Sequence, residues 1–187
     1  DESGTETRYE YDAMNRRTLV IEDYGIGRSN FATRTYYDAL GNVIALTDAR
    51  QAVKLTDQQL GVWLATHTDA PPFTTVYRYD ALTNRKVSMT DAMDNTTTYS
   101  YDAVGNLRTV TAPGNRVTQY TYDALNRVTS VTLPDPEGNN TGPQSVTRIE
   151  YDRVGNVLKQ TDARTFSTNY EYDALNRRIK TIEADPD

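Results

Sequence analysis

The chain has 187 residues, with 20 Lys and Arg against 26 Asp and Glu, for a formal charge of −6. Its basic residues gather into no run longer than a pair, as at Arg16-Arg17, Arg85-Lys86 and Arg177-Arg178, and not into the patch or stripe of a nucleic-acid surface. Cysteine is absent, which removes disulfides and thiolate metal sites. No apolar run approaches the roughly 18–20 residues of a membrane-spanning helix, and no signal peptide opens the sequence.

Along the chain, a motif ending in Tyr-Asp recurs seven times, with its aspartate at Asp12, Asp38, Asp80, Asp102, Asp123, Asp152 and Asp173. The spacings are 26, 42, 22, 21, 29 and 21 residues, so the underlying unit is about 21 residues and the longer gaps hold insertions. Self-similarity at such a period marks a stacked, quasi-one-dimensional architecture. The units start near residues 8, 34, 76, 98, 119, 148 and 169 of a single array spanning 1–187. Residues 1–8 are polar and read as a frayed lead-in. The insertion at 24–31 carries Gly25 and Gly27 and reads as a loop.

The insertion at 55–72 differs from the rest. Thr56 and Gln59 have capping-box spacing, Leu55 and Leu60 have staple spacing, and Leu60, Trp63 and Leu64 form an i, i+3, i+4 face. A short helix is therefore expected near 56–66, with Trp63 covering the sheet or an open end. Docking of a partner is the second reading. The insertion at 134–144, Pro134 to Pro143 and its flank, is a surface loop by composition.

Within each unit, residues two apart on a strand share a face. The pairs Tyr9 and Tyr11, Tyr77 and Tyr79, Tyr99 and Tyr101, Tyr120 and Tyr122, and Tyr170 and Tyr172 therefore put two rings on one face, with Tyr37 and Tyr151 at the second position of their units. The rings are expected to pack repeat on repeat. Asp favours the first position of a type I turn. Three residues later stand Asn15, Gly41, Thr83, Gly105, Asn126, Gly155 and Asn176, and all but Thr83 tolerate positive φ. Thr83 is followed at once by Asn84. The expected unit is a hairpin with a bulged turn, its aspartate and its Gly or Asn setting the loop. Leu107 and Val110, like Val128 and Val131 or Val43 and Leu46, lie three apart in the return strands. A bulge after the turn, or burial of both faces, explains that spacing.

Chemistry finds little foothold. His67 is the only histidine and has no ligand or nucleophile motif beside it. Seven equivalent aspartates point to architecture, because an active site needs a unique constellation. Calcium is the runner-up for those carboxylates, but the EF-hand spacing is missing. No cofactor, metal or catalytic residue is expected. Asn95-Thr96-Thr97 and Asn139-Asn140-Thr141 match the glycosylation sequon and read as accidental.

The run Tyr-x-Tyr-Asp-Ala-(Leu/Val)-(Gly/Asn)-Asn, clearest at Tyr99–Leu107 and Tyr170–Arg178, resembles the YD-repeat or RHS (rearrangement hotspot) family over almost the whole chain. That family includes bacterial polymorphic toxins, shell components of insecticidal toxin complexes, and teneurins. The resemblance implies an all-β fold: successive antiparallel hairpins, about 14 strands, forming a curved, spiralling sheet that is a segment of a β-shell. It implies a structural role in a larger secreted or cell-surface protein that encloses a C-terminal toxin polypeptide, with the parent's neighbouring repeats as partners. An extracellular adhesion or carbohydrate-binding module is the alternative. Asp135-Pro136-Glu137-Gly138 matches four positions of the family's self-cleavage motif, but Asn139 replaces its leucine, so no protease activity is carried over. The unpaired first and last strands are expected to promote self-association, and the chain reads as a segment of a longer protein.

Overall fold

The computed structural model describes residues 6–22, 31–47, 59, 60, 62, 66, 71, 73–135 and 144–184. Trp63, His67 and Pro136–Asn139 lie outside the described residues, as do most of the 24–31 loop and of the 55–72 insertion.

The described residues form an all-β, antiparallel architecture of fourteen strands: β1 (Arg8–Tyr11), β2 (Arg17–Glu22), β3 (Phe31–Tyr37), β4 (Val43–Thr47), β5 (Thr74–Tyr79), β6 (Lys86–Thr90), β7 (Thr96–Tyr101), β8 (Leu107–Ala112), β9 (Arg116–Tyr122), β10 (Val128–Thr132), β11 (Val146–Tyr151), β12 (Val157–Thr161), β13 (Ser167–Tyr172) and β14 (Arg178–Ile182). Their order in the sheet is their order in the chain. This is the hairpin array expected from the repeated motif. The chain divides into two compact units, Asp1–Thr97 and Thr98–Asp187.

Every motif hairpin has the same flaw in its register. In β7–β8, Tyr101 faces Leu107 and Ser100 faces Thr109, so Arg108 is the extra residue. The same shift falls at the tyrosine before the aspartate in the other six hairpins. A bulge moves the return strand by one residue and so reverses its alternation. That is why Leu107 and Val110, three apart, lie opposite Tyr101 and Tyr99 on the tyrosine face. Of the two explanations open from sequence, the bulge holds.

The first unit has a small apolar core. Tyr36, Ala45 and Leu60 are buried together, with Ile44 packed against them. Within the insertion, Gln59, Leu60, Val62 and Thr66 are helical, and the Thr66 hydroxyl donates to the Val62 carbonyl at 2.8 Å. Leu60 is 1% exposed while Val62 is 61% exposed, so one helical face meets the sheet. The second repeat departs from Tyr-x-Tyr, reading Thr35-Tyr36-Tyr37, as the sixth does with Ile149-Glu150-Tyr151. Adjacent strand residues point to opposite faces, and Tyr36 takes the helix side opposite Tyr37.

The second unit is built differently. Among its described residues no hydrophobic side chain is fully buried. Strands β8 and β10 are half-buried almost throughout, while β7, β9 and β11 largely alternate half-buried with exposed residues, and the polar pairs Ser100–Thr109 (2.6 Å) and Thr121–Ser130 (2.8 Å) span neighbouring strands. With so little apolar burial, ladder and turn hydrogen bonds carry more of its definition. Among the described residues no helix is long and apolar enough to cross a membrane.

Leu60→Ala should destabilise the first unit by about 2–5 kcal/mol, the usual cost of emptying a buried leucine site. Hydrogen exchange should show faster opening of β3–β5 with β9–β12 unchanged. Equal protection in variant and parent would remove Leu60 from the core.

Candidate functional site

The recurrent residues meet at the turn end of each hairpin, where one carboxylate organises the loop. Asp102 Oδ1 accepts from the backbone N–H of Val104 (3.1 Å), Gly105 (2.7 Å) and Asn106 (2.8 Å), and Oδ2 accepts from Asn106 Nδ2 (3.0 Å). Asp152 repeats this set with Val154, Gly155 and Asn156. Asp38 does so with Leu40 and Asn42. In three other hairpins an arginine replaces that asparagine: Arg16 Nε lies 2.7 Å from Asp12 Oδ2, Arg127 Nε 2.6 Å from Asp123 and Arg177 Nε 2.7 Å from Asp173. The backbone closes each loop in parallel, as where Gly105 N–H donates to Asp102 C=O (3.1 Å) and Asp102 N–H to Asn106 C=O (2.9 Å).

In six of the seven loops the third residue after the aspartate sits at positive φ. Asn15, Asn126 and Asn176 adopt 60–61°, within the ordinary left-handed range, whereas Gly41, Gly105 and Gly155 lie at 90–104°. Those wider angles are open only to glycine. The Asp80 loop is one residue longer. Asn84, at φ 55°, takes the left-handed place, and Thr83 binds Asp80 through both its N–H and its hydroxyl at 2.8 Å. The same device appears at the opposite rim, where Asp91 accepts from Met93, Asn95 and the Asn95 side chain, and Asp162 from Arg164 and Phe166.

These contacts hold the carboxyls below the usual aspartate range. For Asp12, Asp123 and Asp173 the leading cause is the backbone N–H of Arg16, Arg127 and Arg177. For Asp80 it is the Thr83 N–H. For Asp38, Asp102 and Asp152 desolvation is the largest single influence and pulls upward. The combined hydrogen bonds from Asn42, Asn106 and Asn156 and from the loop amides outweigh it.

The second tyrosine of the motif ties one hairpin to the one before it. Tyr37 donates its hydroxyl to Arg17 C=O (3.1 Å), Tyr79 to Val43 C=O (3.0 Å), Tyr122 to Leu107 C=O (2.8 Å), Tyr151 to Val128 C=O (2.9 Å) and Tyr172 to Val157 C=O (3.0 Å). Each acceptor is the first residue of the preceding return strand. The inter-hairpin ladder stops short of it: β8–β9 ends at Thr109↔Gln119, beyond which Leu107 has no rung. The phenol thus bridges hairpins where their backbones diverge. Tyr11 and Tyr9, on β1, are 57% and 47% exposed. Tyr101 ends β7 opposite Leu107. At the first motif position, Tyr9, Tyr77 and Tyr170 lie 5.5–5.7 Å from Arg17, Lys86 and Arg178 of their own hairpins. Tyr99 and Tyr120 face Val110 and Val131. For Tyr37, Tyr79, Tyr122, Tyr151 and Tyr172, an inter-repeat contact runs through the hydroxyl.

A second set of ties runs from turn to turn. Arg16 Nη1 donates to Asp38 C=O (3.2 Å) and Arg127 Nη1 to Asp152 C=O (2.9 Å), each guanidinium lying 4.5 Å from the ring of Tyr37 or Tyr151. Asn42 donates to Asn84 Oδ1 (2.7 Å), Asn106 to Asn126 Oδ1 (2.8 Å) and Asn156 to Asn176 Oδ1 (3.0 Å). A single consensus motif does not reveal these roles for Arg16, Asn42, Asn106, Arg127 and Asn156. The sequence nonetheless carries the signal. The pair before each return strand alternates strictly: Asn15-Arg16, Gly41-Asn42, Asn84-Arg85, Gly105-Asn106, Asn126-Arg127, Gly155-Asn156, Asn176-Arg177.

Each motif carboxylate is occupied by its own loop, and among the described residues no three His, Cys, Asp or Glu side chains converge on a point that could hold a metal ion. Asp135, from the partial self-cleavage motif, is buried at 2% exposure.

The profile of the RHS Repeat family matches residues 86–114, 101–137 and 151–187. No curated protein matches the chain. Among solved structures, the crystal structure of TcdB2-TccC3-TEV aligns over 98% of this chain and 9% of that one, with 20% identity and a TM-score of 0.63. A Tc holotoxin pore from Photorhabdus luminescens carrying a TccC3 mutation aligns over 92% of this chain and 10% of that one, with 21% identity and a TM-score of 0.49. The first likeness concerns the fold alone, and this chain spans about a tenth of the larger protein's length.

Two outcomes test this rim. Because the folded carboxyl pKa values are depressed, their contribution is fully present above the unfolded aspartate value of about 3.9 and is lost as pH falls below it. Acid titration followed by circular dichroism should show stability falling only in that range, and a flat profile down to about pH 2 would contradict the depressed values. Gly105→Val should cost more than about 1 kcal/mol, since a β-branched residue must enter positive φ; an unchanged thermal midpoint would refute the assignment.

Proposed function

Because the chain belongs to the RHS-repeat family, we propose that it is a section of shell wall in a larger secreted or surface-exposed protein, enclosing a C-terminal polypeptide of that parent. The role is structural and needs no chemistry of its own. One observation carries the reading: the groups that recur along the array are directed at the neighbouring hairpin. The tyrosine hydroxyls end on backbone carbonyls of the hairpin before, and the Arg and Asn side chains end on the turn of the hairpin after. A surface built for a soluble ligand would keep such groups open. A continuous wall uses them between its own repeats.

The adhesion or carbohydrate reading would need an open polar hollow. A shallow hollow of about 300 Å³ is lined by Asp102, Asn106, Tyr120, Tyr122 and Asn126 among others. Its polar groups are already engaged: Tyr122 on Leu107, Asn126 on Asn106, and Asp102 on its own loop. That weighs against a prepared sugar site.

Limited proteolysis of the full parent, read by mass spectrometry, distinguishes the readings. The wall reading expects a C-terminal fragment that stays associated with the repeats and is protected from protease. Free digestion of everything outside the repeats, with nothing retained, would overturn it.

A further inference from the structure

The alternation of turn pairs divides the hairpins into two classes, Asn-Arg and Gly-Asn, and each class makes a different junction with the next hairpin. After the Asn15-Arg16 and Asn126-Arg127 hairpins, the arginine grips the next aspartate's carbonyl and lies over the tyrosine beside it. After a Gly-Asn hairpin, the asparagine donates to the side-chain oxygen of the next turn's asparagine. The second junction requires an asparagine in the adjoining turn, because glycine offers no side-chain oxygen. In the first the adjoining turn carries Gly41 or Gly155, where an added Cβ would meet only ordinary contact or open space but a positive φ of 90–103° favours glycine. A second arginine in the adjoining turn would also set two guanidiniums on adjacent hairpins. Hairpins recur about every 10 Å along a sheet, within reach of like-charge repulsion at physiological salt.

The last hairpin, β13–β14, is of the Asn-Arg class. Arg177 is held by Asp173 at 2.7 Å, as Arg16 is by Asp12, yet its side chain is 73% exposed against 24% for Arg16 and 25% for Arg127. Every residue of β14 is exposed. Its first residue, Arg178, stands where Arg17, Val43, Leu107, Val128 and Val157 each accept a tyrosine hydroxyl.

We propose that the β14 edge is a class-selective docking edge whose occupant is a repeat hairpin of the type Tyr-Asp-x-x-Gly-Asn, and that Arg177 is its specificity-determining residue. The occupant's tyrosine donates to Arg178 C=O, and its aspartate carbonyl accepts from Arg177. A second copy of this chain does not fit, since its first hairpin presents Asn15-Arg16. The proposal is independent of whether the parent encloses a cargo.

The test appends a hairpin to the full chain. Ile182 stands in the register of β13–β14 where Thr90 stands in β5–β6, opposite the residue before the first motif tyrosine. A copy of residues 91–112 is therefore joined after Ile182, carrying its own Asp91–Asn95 turn and the Gly105-Asn106 pair. A second version carries Gly105→Asn and Asn106→Arg in the appended copy only. Native-state hydrogen exchange should show β14 amides slowed by the matched copy at least about tenfold more than by the swapped one, whose added arginine is set beside Arg177 at the cost of like-charge repulsion. Arg177→Gln should erase that difference while leaving β9–β12 exchange unchanged. Equal protection by both copies, or none by the matched copy, overturns the proposal. So does mutual protection of β14 and β1 in the unextended chain on raising its concentration, which would mean that copies pair without regard to class.

Discussion

The constraint on which the rest depends is the need to turn a strand back sharply and to the same geometry many times over. A bulged hairpin loop leaves several backbone N–H groups pointing inward without rungs. A single carboxylate collects them: Asp102 takes three loop amides and a side-chain amide. Because that carboxylate fixes the loop, it also fixes the bulge, and the bulge sets which face the return strand offers. The loop is thereby the source of register, and the strands need not encode it by strong alternation. This accounts for a sheet whose second unit holds its order without a fully buried hydrophobic side chain among its described residues.

Once the loops are fixed, hairpins must be fastened to one another. The strands diverge near the loops, where the ladder gives out, and the tyrosine phenol is long enough to span the gap to a carbonyl. Its ring also lends apolar surface on the way, so one residue serves as both filler and tie. The Arg and Asn of the turn pairs then stitch loop to loop. Local and neighbour contacts dominate, as expected of an array whose stability is close to a sum of repeat and interface contributions. The first unit departs from this plan at Tyr36, which leaves the tyrosine face to pack beneath Leu60.

Much of this is legible in sequence because the period-two tyrosines and the Asp-to-Gly/Asn spacing are local signals with local causes. The seven hairpins, their loops and the helical insertion are all within reach of turn chemistry and capping spacing. The three-residue apolar spacing is ambiguous, because a bulge and two-sided burial leave the same trace until strand register is known. The destination of the tyrosine hydroxyls is hidden for a deeper reason. Their acceptors are backbone carbonyls, which every residue type carries, so no side chain announces them. The turn-pair alternation is visible in principle, but a single consensus for all hairpins averages two classes into one. Tyr36-Tyr37 in place of Tyr-x-Tyr is likewise a readable mark that one ring has changed face.

The central claim is that the aspartate loops, though at the solvent-exposed rim, are ordered as firmly as the strands they join. Hydrogen exchange of the loop amides Val104, Asn106, Leu125 and Arg127 tests it most directly. All four donate to motif carboxylates, so they should exchange as slowly as the rungs of β7–β10 and open together with them. Exchange at the rate of an unstructured peptide, with the strands still protected, would mean that the loops follow the sheet and do not organise it.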